Sequence, residues 1–144
     1  MTIEIDKAFF TRWTNQSLDD TITGGLWHGL AEEGTAMPYA SYSNVSDSPL
    51  ERTRSGRYGT KTVQIQVWDT TPDLVGSHIE AIKNAFVHSD RASTNPLRSQ
   101  VSDEIVFNIE PAANPMIIQE SAEVWQAIIT LEVMYVEDRN LSPA

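Results

Sequence analysis

The hydrophobic period changes abruptly within residues 60–88, and this change constrains the fold more than any other feature of the sequence. Up to residue 68 apolar and polar side chains alternate, with the β-branched residues Val63, Ile65 and Val67 on one side. A period of two residues predicts a strand that is buried on one face. The apolar residues that follow recur at helical spacing, namely Val75, Ile79, Ile82 and Phe86, widened by Leu74 and Ala85. We therefore expect an amphipathic helix that packs across the apolar face of the preceding strand.

The boundary between these two patterns has the residues of a helix start. Thr71 can accept a hydrogen bond from a backbone amide of the first turn, and Pro72 suits the first helical position, where no amide hydrogen is needed. Asp73 places a negative charge near the positive end of the helix dipole. The sequence thus predicts that the helix begins directly after residue 71.

Length and composition indicate a single domain over residues 1–144. A chain of 144 residues can bury a substantial core, and 40% hydrophobic with 21% charged residues is typical of globular proteins. No stretch approaches the roughly 20 apolar residues of a membrane helix, and the first ten residues hold no apolar run of signal-peptide length. We expect a soluble protein with no membrane partner. Residues 139–144 are expected to fray.

The charge of the chain is strongly acidic but unevenly distributed. A net charge of −10 argues against general affinity for a nucleic-acid backbone. Four of the ten basic residues nevertheless lie close together, at Arg52, Arg54, Arg57 and Lys61. Like charges at this spacing predict an exposed loop. Two interpretations stay open for it, a solvated loop that aids solubility and a contact with an acidic partner or nucleic acid.

The N-terminal residues are predicted to be helical. Asp6 is a candidate cap for a helix that runs to Asn15 and presents an apolar side that includes Phe9 and Trp13. Ser17 is a candidate cap for a second short turn, whose two aspartates, residues 19 and 20, suit the positive end of its dipole.

Further strands are predicted directly after Pro38, at residues 105–109, and in a hairpin that spans residues 116–136. Residues 46–59, which separate the first strand from the one at residue 60, are rich in Ser, Pro, Gly and Arg. This composition predicts a long polar loop, and loops of this length tend to be functional. Together the elements predict an α+β fold, a mostly antiparallel sheet of about five strands with one main amphipathic helix and a helical N-terminus packed on one face.

The second arm of the hairpin is long and has two different faces. One face is apolar, and the other carries Gln126, Ile128, Thr130, Glu132 and Met134. This outer face is polar enough to meet solvent or a neighbouring subunit. We take Gln126, Thr130 and Glu132, together with the four clustered basic residues, as the candidate interaction surface.

Residues that could carry catalysis are scattered along the sequence. The three histidines, His28, His78 and His88, form no metal-binding or triad motif, and neither a P-loop nor a nucleophile elbow occurs. Cysteine is absent, which excludes thiol nucleophiles and cysteine metal sites. We expect a protein that is not an enzyme and needs no cofactor or metal.

A different class of function is kept as an alternative, a small-molecule-binding α+β domain. Its pocket would be lined by Trp27, Tyr39, Tyr42 and Trp68. Core and interface packing is the competing interpretation of these aromatic residues.

Residues 26–87 resemble the tail-completion and tail-terminator proteins of long-tailed bacteriophages, which join heads and tails at the neck. In that family a helical N-terminus leads to a strand with a Pro-Tyr pair, and a second strand ends in a Val-Trp pair before an amphipathic helix. The matching residues here are Pro38 and Tyr39, Val67 and Trp68, and Ile79, Ile82 and Phe86 in the helix.

The resemblance implies a virion structural protein of the neck or tail, assembled in the host cytoplasm. It implies a homo-oligomeric ring, commonly hexameric, that caps and terminates the tail tube and helps join it to the head. The implied partners are the tail tube protein and neck or connector proteins, with DNA passing through the ring without specific contacts. A head–tail connector or minor tail protein of similar fold is the nearest alternative.

Overall fold

The structure, a computed structural model, describes residues 3–52, 56–87 and 104–138. Its helices are α1 (Ile3–Asn15) and α2 (Pro72–Phe86), and a short 3₁₀ turn spans Leu18–Asp20. The strands are β1 (Leu26–His28), β2 (Tyr39–Arg52), β3 (Gly56–Asp69), β4 (Glu104–Pro111), β5 (Met116–Ser121) and β6 (Val124–Asp138). None of the helices in these ranges is long and apolar enough to cross a membrane.

The strands form one mostly antiparallel sheet with the order β1-β2-β3-β6-β4, and β5 also pairs with β6. β3 pairs with β6 along the whole length of β3, so β4 and β5 lie on the other edge of β6. β4 pairs with the C-terminal part of β6, and β5 pairs with its N-terminal part. The pairing of β1 with β2 is parallel. The predicted α+β class and mostly antiparallel sheet are confirmed, with six strands in the described residues where about five were predicted.

Both helices lie on one face of the sheet, which we call the covered face. Val63, Ile65 and Val67 of β3 point to this face and are fully buried. The buried residues that β6 adds beside them are Ala127, Ile129, Leu131, Val133 and Tyr135. The apolar stripe of α2 from Val75 to Phe86 closes the core above these strands, whereas Leu74, which was predicted to widen it, is 43% exposed. Phe9 of α1 stacks on Phe86 with ring centroids 4.8 Å apart. The alternation along β3 and the helical spacing of α2 therefore predicted the core.

The start of α2 has the predicted capping geometry. The backbone of Thr71 is extended, and its Oγ1 accepts a hydrogen bond from the Leu74 amide at 3.2 Å. Pro72 is the first residue of the helix. This cap turns the chain out of β3 and back over the sheet within three residues.

The predicted caps at the N-terminus are wrong. α1 begins at Ile3, so Asp6 lies inside the helix, where it is buried. Ser17 has a left-handed backbone with φ of 57° and makes no side-chain capping bond. Asp19 instead accepts a hydrogen bond from Trp13 Nε1 at 2.7 Å, which holds the turn against α1.

The predicted loop over residues 46–59 is wrong for the residues that the structure describes. β2 continues to Arg52 and β3 starts at Gly56, so the segment is the outer part of a long β-hairpin. Its polar residues belong in a strand because β3 finds backbone partners on both sides, β2 and β6. Pro49, which cannot donate a ladder hydrogen bond, lies next to an irregularity in the β2–β3 register. Residues 53–55 and the predicted frayed tail, 139–144, lie outside the described residues.

Candidate interaction surfaces

The face of the sheet opposite the helices, which we call the uncovered face, is the largest candidate surface. Side chains that alternate with the buried core residues point to it, and most are half-buried. They include Ser43, Thr62, Gln64, Gln66, Ile128 and Thr130. Gln66 donates a hydrogen bond to Gln64 at 2.7 Å, so part of the polar surface is ordered by its own contacts. This face offers polar, mostly uncharged groups to a partner.

Aromatic residues mark one end of the uncovered face. Tyr39 of β2 and Trp68 of β3 are cross-strand neighbours, and their rings stack with centroids 4.9 Å apart. An open cavity of about 290 Å³ lies between this pair and residues 29–35, which follow β1. Tyr39 belongs to the Pro-Tyr pair of the sequence resemblance, and Trp68 belongs to the Val-Trp pair. The structure places these two residues side by side on the uncovered face.

The four aromatic residues of the small-molecule alternative do not form one pocket. Tyr42 is fully buried on the covered face, opposite to Tyr39 and Trp68. Trp27 donates its indole hydrogen to the Gly24 carbonyl at 2.9 Å and does not line the cavity beside Tyr39. The structure therefore divides this set between two faces of the sheet, which removes the basis of the proposed pocket.

A buried ionic cluster joins α1 to the sheet. The Asp6 carboxylate lies 2.7 Å from Lys61 Nζ and accepts hydrogen bonds from Tyr42 Oη at 2.7 Å and Asn44 Nδ2 at 3.2 Å. Burial raises the pKa of the Tyr42 phenol above its ordinary value of 10.0, and the hydrogen bond and charge of Asp6 raise it further. Lys61 is only 1% exposed, so its predicted place in an exposed basic loop is wrong.

The other clustered arginines lie at the outer end of the β2–β3 hairpin. The backbone register places Arg52 opposite Arg57, and Arg57 opposite Glu137 of β6. Arg54 lies outside the described residues. Two of the four basic residues are thus brought together by backbone pairing, while Lys61 is separated from them by its burial.

The three candidate residues of β6 lie on the predicted face. Gln126 is 8% exposed and buried beneath its neighbours, whereas Thr130 and Glu132 are half-buried on the uncovered face. Thr130 pairs with Gln64, and Glu132 lies between Thr62 and Glu110. Thr130 and Glu132 are therefore accessible to a partner in part, and Gln126 much less so.

A carboxylate–histidine pair was missed by the sequence analysis. Asp69 Oδ2 lies 2.7 Å from His78 Nε2, and Asp69 Oδ1 accepts the Thr70 amide at 2.7 Å. Both side chains are buried, so the pair fastens the end of β3 to α2. The signal was present, because His78 follows Val75 by three residues and therefore falls on the buried stripe of the helix.

Within the described ranges no group of three or more His, Cys, Asp or Glu side chains is arranged to hold a metal ion. The polar clusters around Asp6 and Asp69 are each used to join a helix to the sheet. The surfaces that are left for a partner are the uncovered face, the hairpin end and the edges of the sheet.

The fold is shared with a protein of a gene transfer agent particle. Among 34 matching chains of solved structures, one belongs to the virion of a native gene transfer agent particle. It has 11% sequence identity and a TM-score of 0.57, and the match covers 83% of this chain and 84% of that chain. At this identity the likeness shows the fold. No curated protein sequence matches the chain.

The sequence itself places the chain among virion structural proteins. The family model for tail completion protein gp17 matches residues 14–108, which is more than half of the chain. The chain belongs to the tail completion protein gp17 family. It is therefore a structural protein of a phage tail, located at the tail or neck of the virion.

Proposed function

We propose that this chain forms a homo-oligomeric ring, of six copies, that caps the tail tube, terminates its growth and helps join the tail to the head. The observation that carries the proposal is the family match over residues 14–108. The role is structural and not catalytic, and the whole chain acts in it as one domain. Its partners are the tail tube protein and the neck or connector proteins, and assembly takes place in the host cytoplasm.

The distribution of charge supports passage of DNA through the ring. If the helices face outward, the uncovered face lines the channel, and its central groups are the uncharged Ser43, Gln64, Gln66 and Thr130. The chain as a whole carries a net charge of −10. A phosphate backbone therefore meets few cations that would hold it. DNA would slide past this surface without specific contacts.

The test combines native mass spectrometry with electron microscopy of tails. The purified chain is measured at high concentration, alone and with tail tubes of its own phage. A six-copy species and a density at the head-proximal end of the tube are the expected results. A monomer under both conditions, with no density on the tube, contradicts the proposal. A density at the head vertex or along the tube would instead assign the chain as a connector or minor tail protein.

The hairpin end provides a second test of the proposal. We expect Arg52→Ala with Arg54→Ala and Arg57→Ala to weaken assembly on tail tubes while the melting temperature stays within a few degrees of wild type. The register places Arg52 and Arg57 at the far end of the hairpin, away from the core. A large loss of thermal stability would show that these residues hold the hairpin together and do not contact a partner.

A further inference from the structure

Two of the outer strands of the sheet, β1 and β5, lie at the same level along the strand direction. One row of paired residues runs from Leu26 of β1 through Ala40, Val67 and Ala127 to Ile117 of β5. The next row runs from Trp27 to Met116. In the part of the chain that the structure describes, no strand pairs with the outer side of β1 or of β5. At this level the sheet therefore has two edges, β1 and β5, that face away from each other.

The edge at β5 is apolar and exposed. Met116, Ile117 and Ile118 are 57%, 49% and 37% exposed, and every residue of the strand is accessible. At the opposite edge Leu30, just beyond β1, is 95% exposed. An accessible apolar edge strand readily accepts another strand, and proteins usually protect such edges with charge, proline or a covering segment. Such an edge is expected where a partner strand is added.

Strand direction favours the pairing of these two edges with each other. β1 runs parallel to β2, and each later step across β3, β6 and β5 reverses direction, so β5 is antiparallel to β1. When a second copy is placed beside the first with the same orientation, its β1 meets β5 as an antiparallel neighbour. The sheet then continues from copy to copy with the hydrogen-bond pattern that already dominates it.

The helix layer offers complementary charges at the same two edges. An open groove of about 770 Å³ between α2 and β5 is lined by Asp73, Gly76, Glu80, Ala81 and Ile117, among others. A second groove, of about 510 Å³, lies between α1 and β1 and is lined by Lys7, Phe10 and His28, with Asp6 and Thr11. Exposed Glu80 makes the first groove acidic, and exposed Lys7 makes the second basic. Two copies side by side would bring these grooves together.

We propose that the β5 edge of one copy pairs with the β1 edge of the next, with the acidic groove of α2 against the basic groove of α1. The occupant of each edge is a second copy of this chain. The contact is head-to-tail, since it joins two different surfaces, and such contacts close into rings when the rotation between copies allows. The proposal rests on the proposed ring function and specifies its subunit contact.

Cysteine cross-linking tests the contact directly, because the natural chain has no cysteine. The variant carries both His28→Cys, at the β1 edge, and Ile117→Cys, at the β5 edge. We expect a short thiol-reactive cross-linker to give a ladder of covalent species from two copies upward, and each single variant to stay monomeric on denaturing gels. A covalent dimer from Ile117→Cys alone would overturn the proposal, because it would show that two β5 edges meet.

Charge exchange tests the same contact without cross-linking. Lys7→Glu and Glu80→Lys are each expected to raise the concentration needed for assembly at least tenfold, because each makes like charges meet at every contact. An equimolar mixture of the two variants is expected to regain assembly, since alternating copies restore opposite charges at every contact. When one variant is isotope-labelled, native mass spectrometry is expected to find equal numbers of the two variants in each assembly.

The outcomes separate this contact from the ring itself. If the wild-type chain assembles but the mixture is no better than the single variants, and the double cysteine variant gives no ladder, the edges are not the subunit contact and the ring proposal stands. If the wild-type chain stays monomeric even on tail tubes, the proposed function fails and the edge contact with it. Circular dichroism of each variant confirms that it is folded before these results are compared.

Discussion

The two faces of the sheet are built from the same strands but obey different rules. On the covered face the side chains of β3 and β6 are almost entirely buried, as at Val63, Ile65 and Ile129. On the uncovered face their neighbours in sequence, such as Gln64, Gln66 and Thr130, remain half-exposed. A polar group on the covered face has a fixed partner, as Lys61 has Asp6, whereas polar groups on the uncovered face can meet water.

The difference shows which side chains are constrained by folding. Burial fixes the covered face, because each side chain there must fill space or find a hydrogen-bond partner. The side chains of the uncovered face are under less of that constraint, since most of them remain partly exposed. Changes on the covered face should therefore cost folding stability, and matched changes on the uncovered face should not.

The largest loss is expected from Asp6→Ala. This change removes the carboxylate 2.7 Å from buried Lys61 and the acceptor of the Tyr42 hydroxyl. Breaking a buried ion pair by removing one partner costs about 3–5 kcal/mol. Urea denaturation followed by circular dichroism measures the loss. Lys7→Ala, on the exposed side of the same helix, serves as control and should change stability by less than about 0.5 kcal/mol. Equal effects from the two changes would show that the cluster does not hold α1 to the sheet.

A smaller loss of folding stability is expected when a core side chain is truncated, and the next residue in the sequence provides the control. Ile129→Ala opens a cavity in the covered face and should cost about 2–5 kcal/mol. Thr130→Ala, one residue on and on the opposite face, should stay within about 0.5 kcal/mol. Thermal and urea unfolding of both variants give the comparison. A Thr130→Ala variant as unstable as Ile129→Ala would mean that the uncovered face is also required for folding.

Replacing the buried histidine, His78, should cost more folding stability than replacing the exposed one, His28. His78→Ala leaves one oxygen of the buried Asp69 carboxylate without its partner at 2.7 Å, which should cost about 1–3 kcal/mol. His28 is exposed at the β1 edge and only its ring contacts Phe10 and Tyr42, so His28→Ala should cost less than about 1 kcal/mol. Chemical denaturation near neutral pH measures both changes. If His28→Ala proves the more destabilising, the Asp69–His78 pair does not fasten α2 as described.

The smallest expected effect is the loss of folding stability at alkaline pH that comes from Tyr42. The pKa of Tyr42 is raised by burial, so the folded protein keeps the phenolic proton at pH values where the unfolded chain loses it. The unfolded state then binds fewer protons, and stability falls as pH rises above the unfolded pKa of 10.0. Between about pH 9 and about pH 11 wild type should lose roughly 1 kcal/mol more stability than Tyr42→Phe.

The control for the alkaline effect is Tyr39→Phe, which changes the half-buried tyrosine on the uncovered face of the same strand. Because this variant keeps Tyr42 and its hydrogen bond to Asp6, the part of the pH dependence that comes from Tyr42 should remain. Unfolding free energies from urea titrations at several pH values give the slopes. A wild-type slope that matches Tyr42→Phe would mean that Tyr42 ionises equally easily in both states.

The parts of the fold that sequence could predict are those where one periodicity repeats. Alternation at Val63, Ile65 and Val67 and the helical stripe from Val75 to Phe86 predicted β3, α2 and the side that each buries. The same alternation includes Lys61, two residues before Val63, and so already placed it on the covered face. Its charge and its basic neighbours pointed to the surface instead, and burial was possible because Asp6 supplies the opposite charge.

Elements that depend on distant partners could not be predicted. β1 is only three residues long, and it is a strand because it pairs in parallel with β2. In this pairing the partner of Leu26 is Ala40, which lies 14 positions later in the sequence. The outer hairpin is polar and becomes strand because β6 reaches it with a complete backbone ladder. The edge contacts of the candidate surface depend on which strands end the sheet, and this is a property of topology rather than of local pattern.

One side chain near the hairpin ties three strands together. Tyr135 of β6 lies over Gly59 of β3, where a Cβ would come within 2.6 Å of its ring, and its hydroxyl donates to Asp47 of β2 at 2.7 Å. The Tyr135 side chain therefore helps to fix the register of the three strands relative to one another. β6 has 15 residues and spans about 50 Å at roughly 3.3 Å per residue. We therefore expect a load on the hairpin end to act as shear along the β3–β6 pairing, in the direction of the β5 edge.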